Sequence, residues 1–469
     1  MRVLKCELVL IYWFCTTEGG KMEAQIRNTN KKLLGPPTKQ LLAIGLMLQA
    51  RPLETYEFIH KTYGDIVWMP WLNRETLFLY HPDYVLHVLK NHHTNYVKSD
   101  QYEHLKPLLG EGLLTSEGEL WRSERRIMAK EFHPESINAY VGSVKRITED
   151  SLADLPLKDE EKEMDIAPYF SRLTFQIAGE IFFGASVDQF SSEVNDSLNT
   201  QLDIVSKRMR RSWNIPLALP TSENLRARKS GGHLNSVVAD IMKEKSTSER
   251  PHNVLSKLKG ATPPIPLNLI RDEVMTLLLA GHETTSNALM WTTYFLGLHT
   301  EWQIKIRDEL KSLGKKAEDL ERLDLASLPL LKAILFESMR LMPPIPVIAR
   351  KCIKEDVIAG LEIPAGTDVV CQQWITHRDE RFWPEPLRFS PLRFINREIK
   401  RDDFSYFPFA KGPRACIGEE LSIVEAMMVL ARFTQDYEWK MKENFSPVPV
   451  HHLTLKSENG MWINVKRVS

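Results

Sequence analysis

Residues 409–418 read Phe409-Ala410-Lys411-Gly412-Pro413-Arg414-Ala415-Cys416-Ile417-Gly418. A proline- and aromatic-rich coil from Phe382 to Pro413 leads in, and a helical pattern from about Ile417 to Thr434 leads out. Cys416 thus stands at a helix start, where unpaired N–H groups favour an anion and hence a thiolate. Gly412 and Gly418 remove side chains where the backbone has to pass close to something flat and bulky. Phe409 is placed to cover the sulfur, and Arg414 offers a cation for a carboxylate. The plain alternative for a lone cysteine is a buried structural thiol beside a helix cap. Five fixed positions within ten residues weigh against it, since chance occurrence is on the order of one in ten thousand.

The other cysteines, Cys6, Cys15, Cys352 and Cys371, form no CxxC pair and no Cys/His cluster. That sparse, odd set argues against a disulfide framework and points to a reducing compartment. Lys plus Arg and Asp plus Glu both number 61, so no global field draws the chain to nucleic acid or to an acidic membrane. The apolar run Leu8–Cys15, with Lys5 and Glu7 ahead of it, is far shorter than the ~20 residues of a membrane span. Met22 is a second candidate start. A cytoplasmic, soluble protein is expected, with at most a weak peripheral membrane contact.

Residues 1–33 read as a poorly defined extension, and residues 34–469 as one domain, because no low-complexity linker or fixed repeat divides them. After a Gly-Pro-Pro lead-in at 35–37, a helical pattern runs to about Tyr63. Alternating runs at Ile66–Trp71 and Thr76–Tyr80, around Leu72-Asn73-Arg74, signal a hairpin. From His81 to about Arg340 the pattern is largely helical. Beta signals return from Pro346 to Val370, with a turn at Pro364–Thr367. The fold class expected is mainly α with small β-sheets.

The loop at 409–418 resembles the haem-binding loop of the cytochrome P-450 monooxygenases, in which a Cys thiolate holds the haem iron and favours O–O cleavage. The resemblance implies Cys416 as the axial ligand, with Phe409, Gly412, Arg414 and Gly418 around it. Further motifs stand upstream in the matching order. Leu267 to about His299 is one long helical stretch, and Gly281-His282-Glu283-Thr284-Thr285 lies in its middle. A Gly and paired Thr residues at the centre of a buried helix break local propensity, which points to a site. A Thr284 hydroxyl bonded back toward Ala280 is expected to bend this helix. By the resemblance this is the distal helix: Thr284 is the alcohol, Glu283 the acid that relays protons, and Ala280 and Gly281 leave room above the haem. One branch of the family esterifies its haem through a Glu just before this Gly. Ala280 stands there instead, so haem b is expected without that bond.

Glu337 and Arg340, three apart on a helix, face the same way, beside the apolar Ala333, Ile334 and Leu341. With Arg393 they resemble the family's structural trio, which locks this helix to the coil. Trp121 and Arg125, four apart, together offer N–H donors to one carboxylate. They resemble the haem-propionate helix, and Arg350 and Arg414 resemble further propionate ligands. Arg122, Arg126, Lys130 and Lys411 form a candidate basic docking rim. Substrate contacts are expected from Tyr96–Leu114, Asp203–Leu225 and the residues after Pro344. His282 and His377 lack a partner at ligand spacing and read as structural.

The resemblance therefore implies a monooxygenase that hydroxylates a lipophilic substrate with O2 as co-substrate, closest in motif style to fatty-acid and sterol hydroxylases. Electrons would come from a separate donor, either ferredoxin with its reductase or a flavin reductase. Two other classes fit the cysteine loop: a haem-thiolate peroxygenase or isomerase, and a non-enzymatic haem sensor. The retained Glu283–Thr284 pair argues against both.

Overall fold

The computed structural model describes residues 35–468 except 72–73, 156–160, 185–186, 188–190, 212, 244–252, 263, 398–399 and 401. The N-terminal readings, including Cys6, Cys15, the Leu8–Cys15 run and Met22, fall outside the described residues, as do two residues of the expected hairpin turn. Helices α1 (Thr38–Ala50) and α2 (Pro52–Tyr63) are separated at Arg51, because Pro52 cannot continue a helix but starts one well. Strands β1 (Ile66–Pro70) and β2 (Glu75–Leu79) then form the expected antiparallel hairpin.

The hairpin belongs to a five-stranded sheet ordered β1-β2-β8-β5-β3. Its other members are β3 (Tyr96–Lys98), β5 (Ile348–Cys352) and β8 (Asp368–Cys371). Between them β6 (Asp356–Ile358) and β7 (Leu361–Ile363) make a separate hairpin. Strand β3 lies within a region that the sequence pattern assigns to helix. Three residues give too short a run for alternation to register, and only the distant edge of β5 makes them a strand.

The helical body comprises α3 (Gly118–Ala129), α4 (Pro134–Ala153), α5 (Ala167–Ala178), α6 (Ser191–Arg210), α7 (Ser222–Lys243), α8 (Leu267–Leu298), α9 (Glu301–Leu313), α10 (Pro329–Leu341) and α11 (Glu419–Asp436). Helix α8 has 32 residues, about 48 Å of axis at 1.5 Å per residue. Most of its circumference is apolar, so it has to lie at the centre of the body. Leu277, Leu278 and Leu279 point in three successive directions and all are buried. Each such side chain contributes roughly 1.5–3 kcal/mol on leaving water. Helices α5, α10 and α11 pack around it. A second small sheet, β4 (Lys162–Asp165), β12 (Trp462–Arg467) and β9 (Tyr437–Met441), closes one side. The hairpin of β10 (Pro449–His451) and β11 (Leu455–Ser457) closes another, where the Trp291 indole donates to the Leu455 carbonyl at 3.0 Å. Strand β4 and these C-terminal strands were not anticipated from the sequence.

Among the described residues no helix is long and apolar enough to cross a membrane.

Candidate active site

A cavity of about 310 Å³ lies between α8 and the start of α11. Cys416 lines one wall, and Ala280, Gly281 and Thr284 line another. Leu113, Leu114, Phe182, Ile345 and Ile348 make much of the remainder apolar.

The cysteine loop gets its shape from backbone geometry. The Cys416 N–H donates to the Phe409 carbonyl at 2.8 Å, and the Ala415 N–H donates to Gly412 at 3.0 Å. Gly412 has φ +81, and an added Cβ would overlap the Leu89 carbonyl. Both its conformation and its packing therefore require glycine. Ala410 also takes a positive φ, 57, which is strained for a residue with a side chain.

Helix α11 begins at Glu419, so Cys416 precedes its first turn. The Gly418 N–H donates to the sulfur and Arg125 lies close enough to favour the thiolate, but burial outweighs both and pushes the Cys416 thiol up. A coordinating metal cation at the sulfur would favour the thiolate.

Four cationic side chains border the same cavity: Lys98, Arg125, Arg350 and Arg414. Arg125 donates to the Ala415 carbonyl at 2.8 Å, which ties α3 to the cysteine loop. Arg414 pairs with Glu117 and lies over the Trp121 ring, 4.1 Å from its centroid. Arg350 projects from β5 and is buried. Lys98, absent from the sequence-based candidates, donates to the carbonyls of Leu113 (3.0 Å) and Ser116 (2.9 Å). Burial first, then repulsion from Arg414, pushes its ammonium down to about 7, against the opposing charge of Glu117. Glu117 also accepts the Lys98 backbone N–H at 2.7 Å. Neither residue carries a local sequence signal; the loop between β3 and α3 brings them in.

On α8 the Thr284 hydroxyl donates back to the Ala280 carbonyl at 2.8 Å. Gly281 borders the cavity, yet an added Cβ there would collide with the Phe182 ring. Close approach of the Phe182 segment therefore requires this glycine, beyond any need for room in the cavity. Glu283 is buried and does not line the cavity; its carboxylate pairs with Lys456 of β11. His282 is fully enclosed, hydrogen-bonded to Ser171 at 2.8 Å, and burial pushes it down to about 3. His377 accepts the Phe407 N–H at 3.0 Å and is likewise held neutral by burial.

The Glu337 carboxylate receives Arg340 Nε at 2.7 Å, Arg393 Nε at 3.0 Å and the Ser390 N–H at 2.8 Å. Arg340 goes on to donate to the carbonyls of His377 and Pro386 at 2.7 and 2.8 Å. Every strong donor and acceptor of this fully buried pair is matched, the condition under which burying charge is tolerable. The three residues join α10 to the coil that leads into the cysteine loop.

Of the expected docking rim, Arg126 and Lys130 are exposed, but Arg122 pairs with Glu119 and Lys411 donates to the carbonyls of Lys400 and Asp403. Tyr102, Leu113 and Leu114 from the first expected substrate segment and Ile345 and Ile348 from the third reach the cavity, but among the described residues none of 203–225 lines it. Instead Arg208 turns inward to Asn224 (3.3 Å) and the Ile215 carbonyl (2.5 Å), while Trp213 is 75% exposed.

The family model for cytochrome P450 matches residues 35–463. The chain belongs to the cytochrome P-450 family. It is 28% identical to a Mycobacterium tuberculosis protein named as a cytochrome P-450, over 87% of this chain and 92% of that one. It is 28% identical to cyclooctat-9-en-7-ol 5-monooxygenase of Streptomyces melanosporofaciens, over 88% and 89%. It is 27% identical to the chloroplastic protein LUTEIN DEFICIENT 5 of Arabidopsis thaliana, over 87% and 72%. As a cytochrome P-450 the chain is a haem-dependent oxidoreductase of the monooxygenase type, and the mainly helical body with small sheets is the fold of that family.

The residues present fit the haem that this family implies. The cavity gathers Lys98, Arg125, Arg350 and Arg414; Glu425 also lines it, but burial holds its carboxyl well above the usual carboxylate range, and Arg414 pairs with Glu117, so a ligand bearing two carboxylates complements the excess of cations. Cys416 offers a soft sulfur donor to iron on the wall opposite Thr284.

Proposed function

We propose that this cytochrome P-450 hydroxylates a lipophilic substrate, using O2 and electrons from a separate redox protein. The observation that carries the reading is the cavity that has Cys416 on one wall, Thr284 on another and apolar side chains between them. Non-covalent haem b held by the Cys416 thiolate would supply the oxygen-activating chemistry. Lys98, Trp121, Arg125, Arg350 and Arg414 would hold its propionates by charge-assisted hydrogen bonds. Phe409 would cover the sulfur of the loaded protein, Gly418 leaves the backbone close to it, and the trio of Glu337, Arg340 and Arg393 keeps the cysteine loop in place.

Thr284 offers a hydroxyl donor and acceptor on the distal side. Its bond to Ala280 is the resting one, and rotation about χ1 frees the hydroxyl to pass a proton inward. Glu283, one residue away and paired with Lys456, is the acid that replenishes it. Leu113, Leu114, Phe182, Ile345 and Ile348 exclude water and orient an apolar substrate. The relative named for oxidising cyclooctat-9-en-7-ol supports a terpenoid-like or similarly hydrophobic class, alongside fatty acids and sterols.

The exposed Trp213, Leu219 and Leu225 support a weak peripheral membrane contact. A binding screen with fatty acids, sterols and terpenoids, read by the Soret shift, tests the substrate class. A ligand that shifts the band and is then hydroxylated supports the reading; shifts with small polar molecules alone contradict it.

A further inference from the structure

Beyond the cavity, a second cluster of ligand-capable side chains forms where two distant parts of the chain meet. Following the short helix Pro82–Leu86, the backbone widens into one π turn at His87–Asn91, closed by the His92 N–H on the His87 carbonyl at 2.8 Å. Residues five apart on an α-helix point about 140° away from each other. The i→i+5 bond of a π turn brings them almost into line, and such turns often mark functional sites. The His87 and His92 rings accordingly stack, with centroids 3.9 Å apart and planes at 12°.

Asp356, the first residue of β6, approaches from across the chain. Its Oδ2 lies 2.8 Å from His87 Nε2 and 3.7 Å from His92 Nδ1. One ligand atom from each residue lies within 4.8 Å of the other two. The Tyr96 hydroxyl donates to the same carboxylate oxygen at 2.7 Å and so fixes its orientation.

We propose that His87, His92 and Asp356 form a binding site for a divalent transition-metal ion of the zinc class. Four-coordinate zinc with bonds of about 2.0–2.1 Å holds its ligand atoms about 3.3 Å apart. The two separations to Asp356, 2.8 and 3.7 Å, bracket that value, and metal binding would require the stacked imidazoles to rotate so that both ring nitrogens point at the ion. Two imidazoles and one carboxylate favour zinc, nickel or copper over the all-oxygen coordination of magnesium or calcium. His92 is 49% exposed, which leaves the fourth position open to water.

The ion would staple the π turn to the β6–β7 hairpin, joining residues 269 positions apart. The same turn provides the Leu89 carbonyl against which Gly412 packs, so the staple sits behind the cysteine loop. Among the described residues one further cluster has ligand spacing, His60, Asp65 and Asp379, but both of its carboxylates already hold the Arg381 guanidinium.

The test uses full-length, haem-loaded protein stripped with a chelator and titrated with zinc chloride by calorimetry. One zinc ion is expected to bind more tightly than any other, and His92→Ala and Asp356→Asn should each weaken it at least tenfold. Cobalt(II) at the site should show the intense visible bands of four-coordination. Zinc should raise the thermal transition of the parent protein but leave that of His92→Ala unmoved. Equal zinc affinity in parent, His92→Ala and Asp356→Asn would overturn the proposal, as would failure of the parent to bind zinc. His92 is half exposed, so its variant tests ligation with little risk to folding.

Discussion

Glu283 reaches from the middle of α8 to Lys456 on β11, while Thr284, the next residue, faces the cavity and bonds to Ala280. Lys456 also donates to Asn199 of α6 at 2.5 Å. The pair therefore couples the distal helix to the C-terminal hairpin. Lys456→Met would leave a buried carboxylate without its cation and should cost about 2 kcal/mol of stability. Adding Glu283→Gln should recover most of that loss, because the unpaired charge disappears with it. Chemical denaturation of the three proteins checks this; equal stability in parent and Lys456→Met would show the pair to be idle.

Thr284→Ala removes the hydroxyl and nothing that binds haem. Haem content and the Soret spectrum should stay as in the parent, while product per electron consumed falls and peroxide rises. Peroxide and product assays with a competent redox partner measure the split. Full coupling in the variant would exclude Thr284 from proton delivery.

Glu337→Ala would strand the Arg340 guanidinium in a fully buried site, at a cost on the order of 3–5 kcal/mol. The coil before the cysteine loop would lose its anchor, and the purified variant should contain little haem. Absorbance of haem relative to protein gives the answer directly, and normal content would remove the trio from cofactor placement.

Glu124 on α3 and Glu273 on α8 are neighbouring buried carboxyls; Ser116 donates to Glu124 at 2.5 Å, and the Leu113 N–H donates to Glu273 at 3.1 Å. Burial raises both carboxyls, and Glu124's charge raises Glu273 further. The folded protein thus retains a proton that the unfolded chain gives up. With fewer protons on the unfolded state, stability falls as pH rises from the ordinary carboxylate range through neutrality. Glu273→Gln should flatten that fall by on the order of 1 kcal/mol between pH 6 and pH 8.5. Denaturation curves at the two pH values report it.

Much of this site was legible because its key residues are local in sequence. The cysteine loop, the Gly281–Thr285 break and the Glu337/Arg340 spacing each lie within ten residues, and the backbone positions them without outside help. The Thr284 bond to Ala280 followed from helix geometry alone. Lys98, Glu117 and the Glu283–Lys456 pair were not legible: Lys98 lies on a three-residue strand whose partner β5 is far away in the chain, Glu117 gains its role through Lys98 and Arg414, and Lys456 meets Glu283 only once the C-terminal hairpin folds onto α8. Gly281 shows a third case, in which the sequence marked an anomaly and only the Phe182 contact gave its cause.

Whether Cys416 binds the iron through sulfur is decided by the spectrum of the purified, reduced protein under carbon monoxide. A thiolate ligand red-shifts the carbonyl Soret band, and Cys416→Ser should abolish that shift while the fold survives. A native protein without the red-shifted band, or a Cys416→Ser variant that keeps it, would contradict the assignment.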